Sequence, residues 1–216
     1  MAAQRHNDYV LETVLDWLYP PKCGLCHRIG RDAICDSCLK EFIPATPQVE
    51  TPAQVDQVTA LYMYEGRASQ AVKELKFGRV TSLARPMAEQ MASFAREREF
   101  FECSVIVPIP VSPGRERERG FSQADLLAEA MPDELLDRGL LRRTRYTRPQ
   151  VGLKRDERLG HLADAFSTSG SIPGLSILLI DDVVTTGGTA SACAGALKLA
   201  GASSVKLLAY AAEPMR

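Results

Sequence analysis

The most constraining feature of this sequence is the stretch from Ser176 to Gly188, S-I-L-L-I-D-D-V-V-T-T-G-G. Its apolar run, Ile177 to Ile180, has the length and β-branched character of a strand that is buried on both faces of a parallel sheet. Asp181 and Asp182 mark the predicted end of that strand, and an alanine-rich segment over residues 190–199 predicts a helix. The stretch therefore predicts a strand, a loop and a helix in that order.

The loop of this unit has the residues of a phosphate-binding site. Its members are Thr185, Thr186, Gly187, Gly188 and Thr189. Glycines let backbone N–H groups approach a ligand closely, threonine hydroxyls add donors, and the following helix presents the positive end of its dipole. The preceding carboxylates cannot bind phosphate, so they would accept hydrogen bonds from neutral donors or face a cation. A sugar diol with a 5′-phosphate meets both requirements, whereas the alternative is an ordinary strand-to-helix turn with acidic residues at the helix cap.

The sequence D-D-V-V-T-T-G-G-T closely resembles the phosphoribosyl pyrophosphate (PRPP) motif of type I phosphoribosyltransferases. The resemblance implies that Asp181 and Asp182 hold the ribose hydroxyls as catalytic residues. It also implies that residues 185–189 wrap the 5′-phosphate. The loop is not a Walker loop, because no lysine follows its glycines.

Size and charge set limits on the rest of the chain. The 216 residues are enough for one substantial core and a small appended module, and 45% hydrophobic and 25% charged residues are typical of a globular protein. With a net charge of −1, binding of a polyanion would depend on a local basic patch. Charged residues interrupt the first twenty positions, and no apolar run approaches the roughly 18 residues of a membrane span. We therefore expect a cytoplasmic protein with no membrane span.

Four of the six cysteines form two closely spaced pairs, Cys23-x-x-Cys26 and Cys35-x-x-Cys38. Two such knuckles bring four thiolates to tetrahedral spacing, and a segment this short needs a metal for its stability. We predict structural Zn²⁺, and not catalytic zinc, because all four ligand positions would be filled. A dithiol redox motif is disfavoured because both pairs lie outside any βαβ pattern, and simple burial of the cysteines is disfavoured by their polar surroundings.

The remaining pattern predicts a two-part organisation. Residues 1–45 would hold an N-terminal helix over residues 9–18 and the four-cysteine knuckle, residues 46–57 a Pro-rich linker, and residues 58–216 the phosphoribosyltransferase-like domain. The predicted strands span residues 58–64, 105–110, 176–182 and 204–210, with a further edge strand from residue 165, and the predicted helices span 69–77, 83–99 and 124–131. Because strands alternate with helices, we expect an α/β fold with a mainly parallel sheet flanked by helices.

Two arginine-rich segments are candidate anion sites. The first, S-P-G-R-E-R-E-R-G, is predicted as a glycine-bounded loop that carries Arg115 and Arg119. The second, residues 138–158, is predicted as a long basic loop in which guanidinium groups could close over phosphate oxygens. A solvated charged surface is the alternative for both segments. The candidate lid residues in the second segment are Arg142, Arg143, Arg145, Arg148, Arg155 and Arg158.

Taken in order, these motifs resemble the ComF family (ComFC/GntX type) over nearly all of residues 18–210. The four-cysteine knuckle is followed by Y-x-G-x-x-x-x-x-V-K-x-L-K-F at residues 64–77, V-P-I-P at 107–110 and R-G-F-S-Q at 119–123. The chain departs from the family pattern at Ser122 and His161, where asparagine is usual. The resemblance implies that Arg119 stabilises a leaving pyrophosphate, that residues 142–158 form a flexible lid, and that Mg²⁺ accompanies PRPP.

Kinship with this family also implies partners. Family members are tied to DNA uptake in natural transformation, which implies single-stranded DNA and DNA-uptake proteins as partners. The leading hypothesis is a phosphoribosyltransferase-like site that binds Mg²⁺-PRPP. The alternative is a non-catalytic, PRPP-sensing module that binds single-stranded DNA, and a purely structural zinc protein would leave the acidic pair and the glycine loop unexplained.

Overall fold

The computed structural model describes residues 20–46, 51–144 and 165–214. The predicted helix at residues 9–18 and four of the lid residues, Arg145, Arg148, Arg155 and Arg158, lie outside these ranges. The strands are β1 (Gln57–Met63), β2 (Val105–Pro108), β3 (Leu141–Arg143), β4 (Phe166–Thr168), β5 (Ser176–Val184) and β6 (Ser204–Ala212). The α-helices are α1 (Asp36–Leu39), α2 (Gly66–Lys73), α3 (Ala84–Glu97), α4 (Pro113–Arg119), α5 (Gln123–Ala128) and α6 (Gly188–Leu199). Shorter turns are a π-helical turn (Glu74–Gly78) and 3-10 turns (Thr81–Leu83 and Asp133–Leu135).

The main sheet has four strands in the order β1-β6-β5-β2, and every pair in it is parallel. Strand β5 is central, since Ile180 lies opposite Pro108 of β2 and opposite Leu208 of β6. The α/β fold with a parallel sheet flanked by helices is therefore confirmed. Within the described ranges, no helix combines the length and the hydrophobicity that crossing a membrane would need.

The two faces of β5 belong to two different apolar clusters. Leu178 and Ile180 pack in the cluster that also contains buried residues of α2, α3 and α5. Ile177 and Leu179 pack in the cluster that contains buried residues of α6, β3 and β4. Because side chains alternate along a strand, burial on both faces explains why this strand is a continuous apolar run.

Strand β5 extends further than the sequence predicts. Its pairing with β6 continues through Asp181 to Val183 and Val184, which lie opposite Ala211 and Ala212. The predicted end at residue 182 is therefore too early by two residues. Asp181 and Asp182 therefore lie within β5, near its carboxyl end, where pairing with β6 fixes the backbone.

The predicted loop S-P-G-R-E-R-E-R-G is wrong, because this segment forms helix α4. Ser112 caps the helix by accepting a hydrogen bond from the backbone N–H of Arg115 at 3.4 Å, and Pro113 occupies the first helical position. Gly120 closes the helix with φ +84°, a left-handed conformation that glycine adopts without strain.

The predicted basic loop at residues 138–158 is also wrong at its start. Residues 141–143 form strand β3, which pairs antiparallel with β4 and places Arg143 opposite Phe166. The predicted strand from residue 165 exists as β4, but it lies in this separate two-stranded sheet and not at an edge of the main sheet.

Candidate functional site

The four predicted zinc ligands lie together in the N-terminal module. Cys23 directly precedes a turn and Cys26 lies within it. Cys35 is the N-cap residue of α1, and Cys38 lies within that helix. The sulfur atoms all lie within 4.8 Å of one another, with Cys23–Cys38 at 3.9 Å and Cys26–Cys35 at 3.6 Å. A tetrahedral zinc with Zn–S bonds of about 2.3 Å requires sulfurs about 3.8 Å apart. The four thiols therefore fit a structural zinc ion, and all six cysteines of the chain, which fall in the described ranges, are free of disulfides.

The zinc module packs directly on the helical layer of the main domain. The side-chain amide of Gln70 in α2 donates to the backbone carbonyl of Leu25 at 3.0 Å, and Arg67 pairs with Glu41 at 3.1 Å. Gly24 leaves room for Leu83, whose side chain lies where a Cβ atom of residue 24 would point. The knuckle and the helices beside the π-helical turn therefore share one apolar cluster.

Asp182 is buried and its carboxylate is paired with a lysine. Oδ1 of Asp182 lies 2.8 Å from Nζ of Lys76, which belongs to the π-helical turn after α2. Asp182 continues the β5 face of Leu178 and Ile180, so it points toward the helical layer that carries this lysine. Sequence reasoning missed Lys76 as a site residue, although it stands in the V-K-x-L-K-F segment.

Asp181 is held differently from its neighbour. Its Oδ1 accepts a hydrogen bond from the backbone N–H of Asp182 at 2.8 Å. Burial, and then the adjacent charge of Asp182, raise the pKa of Asp181 to about 8, a shift that Lys76 partly offsets. At neutral pH the neutral form of Asp181 is therefore favoured, and a neutral carboxyl suits hydroxyl partners better than a bare divalent cation.

The predicted phosphate loop connects β5 to helix α6. Gly187 is the N-cap of α6 with φ +68°, and its carbonyl accepts the N–H of Ser191 at 2.8 Å. A cavity of about 210 Å³ is lined by Asp181 and by residues 183–190, so the loop has room for an anion at the start of the helix.

The opposite side of this loop is covered by the segment before β1. A Cβ atom on Gly187 would overlap the ring of Pro52, which is buried. Within the same segment, which the sequence predicts as a linker, Val55 is buried and Asp56 pairs with Lys198 of α6 at 2.7 Å. The described part of this segment, residues 51–56, therefore lies directly against the predicted phosphate loop.

A second cavity, of about 300 Å³, lies beside the acidic pair at the carboxyl ends of β1, β2 and β5. This edge is where open α/β sheets bind ligands. Its lining unites several predicted residues with residues that the sequence did not single out. The polar lining residues are Tyr64, Lys76, Arg115, Arg119, Gln123, Arg143, Asp181, Asp182, Thr185 and Thr189.

The arginines reach this cavity from two elements. Arg115 and Arg119 come from α4, and Nη1 of Arg119 donates to Oε1 of Gln123 at 2.8 Å. Arg143 comes from β3, where its guanidinium lies 5.3 Å from the ring of Phe166. Burial, and then the charge of Arg115, lower the pKa of Arg143. Arg142 is exposed and is not among the residues of the cavity wall.

Two buried N–H donors on this cavity have no partner. They are Nε2 of Gln123, a residue that is 1% exposed, and Nε of Arg143. A buried donor left without a partner costs roughly 1–3 kcal/mol, so such donors mark a place where a ligand or water supplies the acceptor. The adjacent Ser122 is the N-cap of α5 and accepts the N–H of Asp125 at 3.3 Å.

The zinc module matches a known domain family, and most of the chain is similar to known proteins. The family described as a double zinc ribbon domain matches residues 14–49. The chain is 29% identical over 198 residues to the DNA utilization protein YhgH of Salmonella typhimurium, covering 86% of this chain and 87% of that protein. It is 32% identical over 167 residues to the competence protein ComFC of Bacillus subtilis, covering 77% of this chain and 67% of that protein. It is 41% identical over 117 residues to the competence protein ComFC of Streptococcus pneumoniae, covering 53% of this chain and 51% of that protein.

Proposed function

Because this chain belongs to the ComF family, the family of ComFC and YhgH, we propose that it is a phosphoribosyltransferase-like protein that binds Mg²⁺-PRPP in the service of DNA uptake or DNA utilization. The names of its relatives support a role in competence or DNA utilization. The PRPP site is our inference from the residues that line the two adjoining cavities.

One observation carries the proposal. A single cavity joins the acidic pair to Lys76, Arg115, Arg119 and Arg143, and two of its lining residues, Gln123 and Arg143, each carry a buried N–H donor without a partner. Carboxylates accept hydrogen bonds from hydroxyls, whereas guanidinium groups and N–H donors bind phosphate oxygens. PRPP presents a diol between two phosphate groups, so its chemistry matches both halves of this lining.

In the proposed pose the 5′-phosphate lies in the loop cavity. Residues 185–189 would donate to its oxygens from backbone N–H groups and hydroxyls at the start of α6. Asp181 and Asp182 would accept from the ribose hydroxyls, and the pyrophosphate would extend toward Arg119 and Arg143.

Transfer at the anomeric carbon would break its bond to pyrophosphate and form a bond to the acceptor. The pyrophosphate leaves with the bonding electron pair, and an N–H acceptor releases its proton to solvent. The work of the protein is electrostatic, because cations that are already in place stabilise the charge that grows on the leaving group. Arg115, Arg119 and Arg143 line the same cavity as the acidic pair, which supports this role for them.

We propose that Mg²⁺ arrives with PRPP and is held by pyrophosphate oxygens and water, where it would neutralise part of the leaving-group charge. Asp182 is already paired with Lys76, and the raised pKa of Asp181 disfavours its charged form. The described carboxylates therefore do not form a cage for a free divalent cation. The donor set fits a metal that is carried by its ligand.

A titration with Mg²⁺-PRPP tests the proposal. Wild-type protein should bind in a calorimeter, and the double variant Asp181→Asn, Asp182→Asn should lose at least about tenfold in affinity. A hydrogen bond to a neutral carboxyl contributes about 1 kcal/mol and one to a charged carboxyl about 1.5–3 kcal/mol. The matched control is Asp133→Asn, an exposed carboxylate in a turn away from the cavity. Equal affinity of the double variant and the control would refute the site.

Release of pyrophosphate separates binding from transfer. The zinc-loaded protein would be incubated with Mg²⁺-PRPP and a panel of bases, nucleosides and oligonucleotides. Acceptor-dependent release of pyrophosphate supports catalysis, and binding without release in the whole panel supports a PRPP sensor.

The second candidate is a PRPP-sensing module that binds single-stranded DNA. The names of the relatives favour a role with DNA. Exposed cations lie on two elements that also contribute side chains to the cavity, Arg115 and Arg117 on α4 and Arg142 on β3. Phosphate contacts make DNA affinity fall steeply with salt. A steep salt slope that does not change with PRPP supports the module, whereas PRPP-dependent DNA binding ties the strand to the ligand site.

A further inference from the structure

Phe77 is an unusual surface residue at the edge of this site. It is 70% exposed, and among the described residues no other phenylalanine, tyrosine or tryptophan is largely exposed to solvent. The other described phenylalanines and tyrosines are buried or partly buried. An exposed aromatic ring is available to a flat ligand and contributes little to the core.

The ring is held by its neighbours. Lys76, the preceding residue, is fixed by its ion pair with Asp182. Arg79, with φ +54°, donates from Nη2 to the carbonyl of Glu118 in α4 at 2.6 Å. The guanidinium carbon of Arg119 lies 5.1 Å from the ring centre of Phe77, within the range of a cation–π contact. These contacts lock the turn against α4, so a ligand that stacks on Phe77 would find a preformed surface.

Arg119 links this ring to the cavity. It lines the cavity, lies over Phe77, and donates to Gln123, whose Nε2 has no partner. A ligand with anionic oxygens at Arg119 and Gln123 therefore places its next group beside the ring. Arg119 lies over the ring, and Lys76 and Arg79 flank Phe77 in the sequence. These cations favour a flat ring that is attached or bound next to phosphate.

We propose that Phe77 is the stacking platform for an unpaired nucleobase, next to the ribose site. This inference rests on the proposed function and deepens it, because it names the chemical class of the acceptor or strand that approaches the site. Aromatic rings and guanidinium planes both stack on bases without regard to base identity. The base would lie on the exposed surface of the ring, which is 70% accessible.

The base has two sources with the same chemistry, a free nucleobase and a base of a single strand, and the experiment has an arm for each. In the strand arm, the zinc-loaded protein is titrated with a labelled thymidine 12-mer and with an abasic 12-mer of equal charge. In the free-base arm, it is titrated with adenine and with uracil in the presence of PRPP. Since phosphate contacts are the same in both 12-mers, the ratio of their affinities isolates the contribution of the bases.

The variants are Phe77→Ala and Phe77→Trp, with Leu199→Ala as the matched control. Leu199 is an exposed apolar residue, 87% accessible, at the end of α6 that lies away from the phosphate loop. Wild type should prefer thymidine to abasic strands by about 5-fold or more. Phe77→Ala should remove this preference, while Phe77→Trp and Leu199→Ala retain it, and circular dichroism verifies that all variants fold.

The outcomes are distinct. Phe77-dependent binding in the strand arm or in the free-base arm supports the platform and identifies its source. If Phe77→Ala leaves the strand preference and the free-base affinity unchanged, or if wild type shows neither, the platform is overturned. Calorimetry of PRPP alone with wild type and with the double variant Asp181→Asn, Asp182→Asn tests the PRPP site by itself, so failure of the PRPP site is detected separately from failure of the stacking site.

Discussion

The ammonium of Lys76 lies 2.8 Å from Oδ1 of Asp182, so the second acid of the predicted ribose-binding pair already has a cation before any ligand enters. The lysine comes from a turn on the helical layer and the aspartate from the central strand, and both are largely shielded from water. This pair fixes the π-helical turn to the sheet beside the cavity of about 300 Å³.

Removal of the lysine should be costly. Lys76→Met would leave the buried Asp182 carboxylate without its partner, and we expect a loss of about 3 kcal/mol in the free energy of unfolding, at the lower end of the range for buried pairs. Chemical denaturation at neutral pH measures it. The control is Lys198→Met, which breaks the more exposed pair with Asp56 and should cost less than about 1 kcal/mol. Equal costs for the two variants would contradict the role of burial at Lys76.

The raised pKa of Asp181 predicts a dependence of stability on pH. A carboxyl with a higher pKa in the folded chain stabilises the fold while it is protonated. This contribution is complete below the unfolded pKa of about 3.9 and is lost as pH rises through the folded pKa of about 8. Asp181→Asn cannot ionise, so its stability relative to wild type should grow with pH across this window, by at most about 1.4 kcal/mol per pH unit.

Thermal melts of ligand-free protein at pH 5, 7 and 9 measure this trend. Asp133→Asn, which changes an exposed carboxylate, should follow the wild-type curve. A constant difference between Asp181→Asn and wild type at all three values would contradict the raised pKa.

The zinc module predicts a defined metal content. The four clustered cysteines should hold one zinc ion per chain, as measured by mass spectrometry of the metal. Cys38→Ser removes a buried ligand and should lose most of the metal and the protection of residues 20–46 from protease, because such short modules depend on zinc for folding. Cys103→Ser, outside the cluster, should keep the full content. Equal zinc in the two variants would rule out the four-thiolate site.

The contact of Pro52 with the phosphate loop predicts a coupled pair of substitutions. Gly187→Ala places a Cβ in the left-handed region and against the Pro52 ring, so it should destabilise by about 1–2 kcal/mol from the backbone alone and by more from the overlap. Pro52→Gly, rather than Pro52→Ala, should relieve the overlap, because Cβ of Pro52 itself would lie 2.6 Å from the added Cβ. It would not relieve the backbone strain, so the two changes should be non-additive in urea denaturation.

Helix α6 supplies the control for this pair. Gly195→Ala lies in the middle of the helix with open space around it and should stabilise by about 1 kcal/mol. If Gly187→Ala and Gly195→Ala shift stability in the same direction, the close approach of Pro52 does not exist in solution.

The parallel sheet and the strand-loop-helix unit were predictable because their signals are local. The continuous apolar run at Ile177 to Ile180 reports burial on both faces, and the glycines report the turn. Helix α4 also has local signals, Ser112, Pro113 and Gly120, but the alternating charges of its interior predict a solvated loop. Charge alternation describes the solvent-exposed side of an element and does not determine its backbone conformation.

The partners of the site residues were not predictable in the same way. Lys76 meets Asp182 across more than a hundred positions of sequence, and Arg143 reaches the cavity through a strand pairing with Phe166. Both contacts depend on tertiary packing that no periodicity encodes. The lack of a hydrogen-bond partner for Nε2 of Gln123 also becomes evident only from the three-dimensional structure.

The π-helical turn at Glu74–Gly78 has a consequence for how this protein can change over time. Such a turn is an α-helix that has gained one residue, and deleting that residue would rotate the adjoining side chains by about 100°. The ammonium of Lys76 would swing away from the strand and the ring of Phe77 would take a new direction, even with both residues retained. A deletion here would therefore separate the cavity from the ring beside it in a single step, without any substitution.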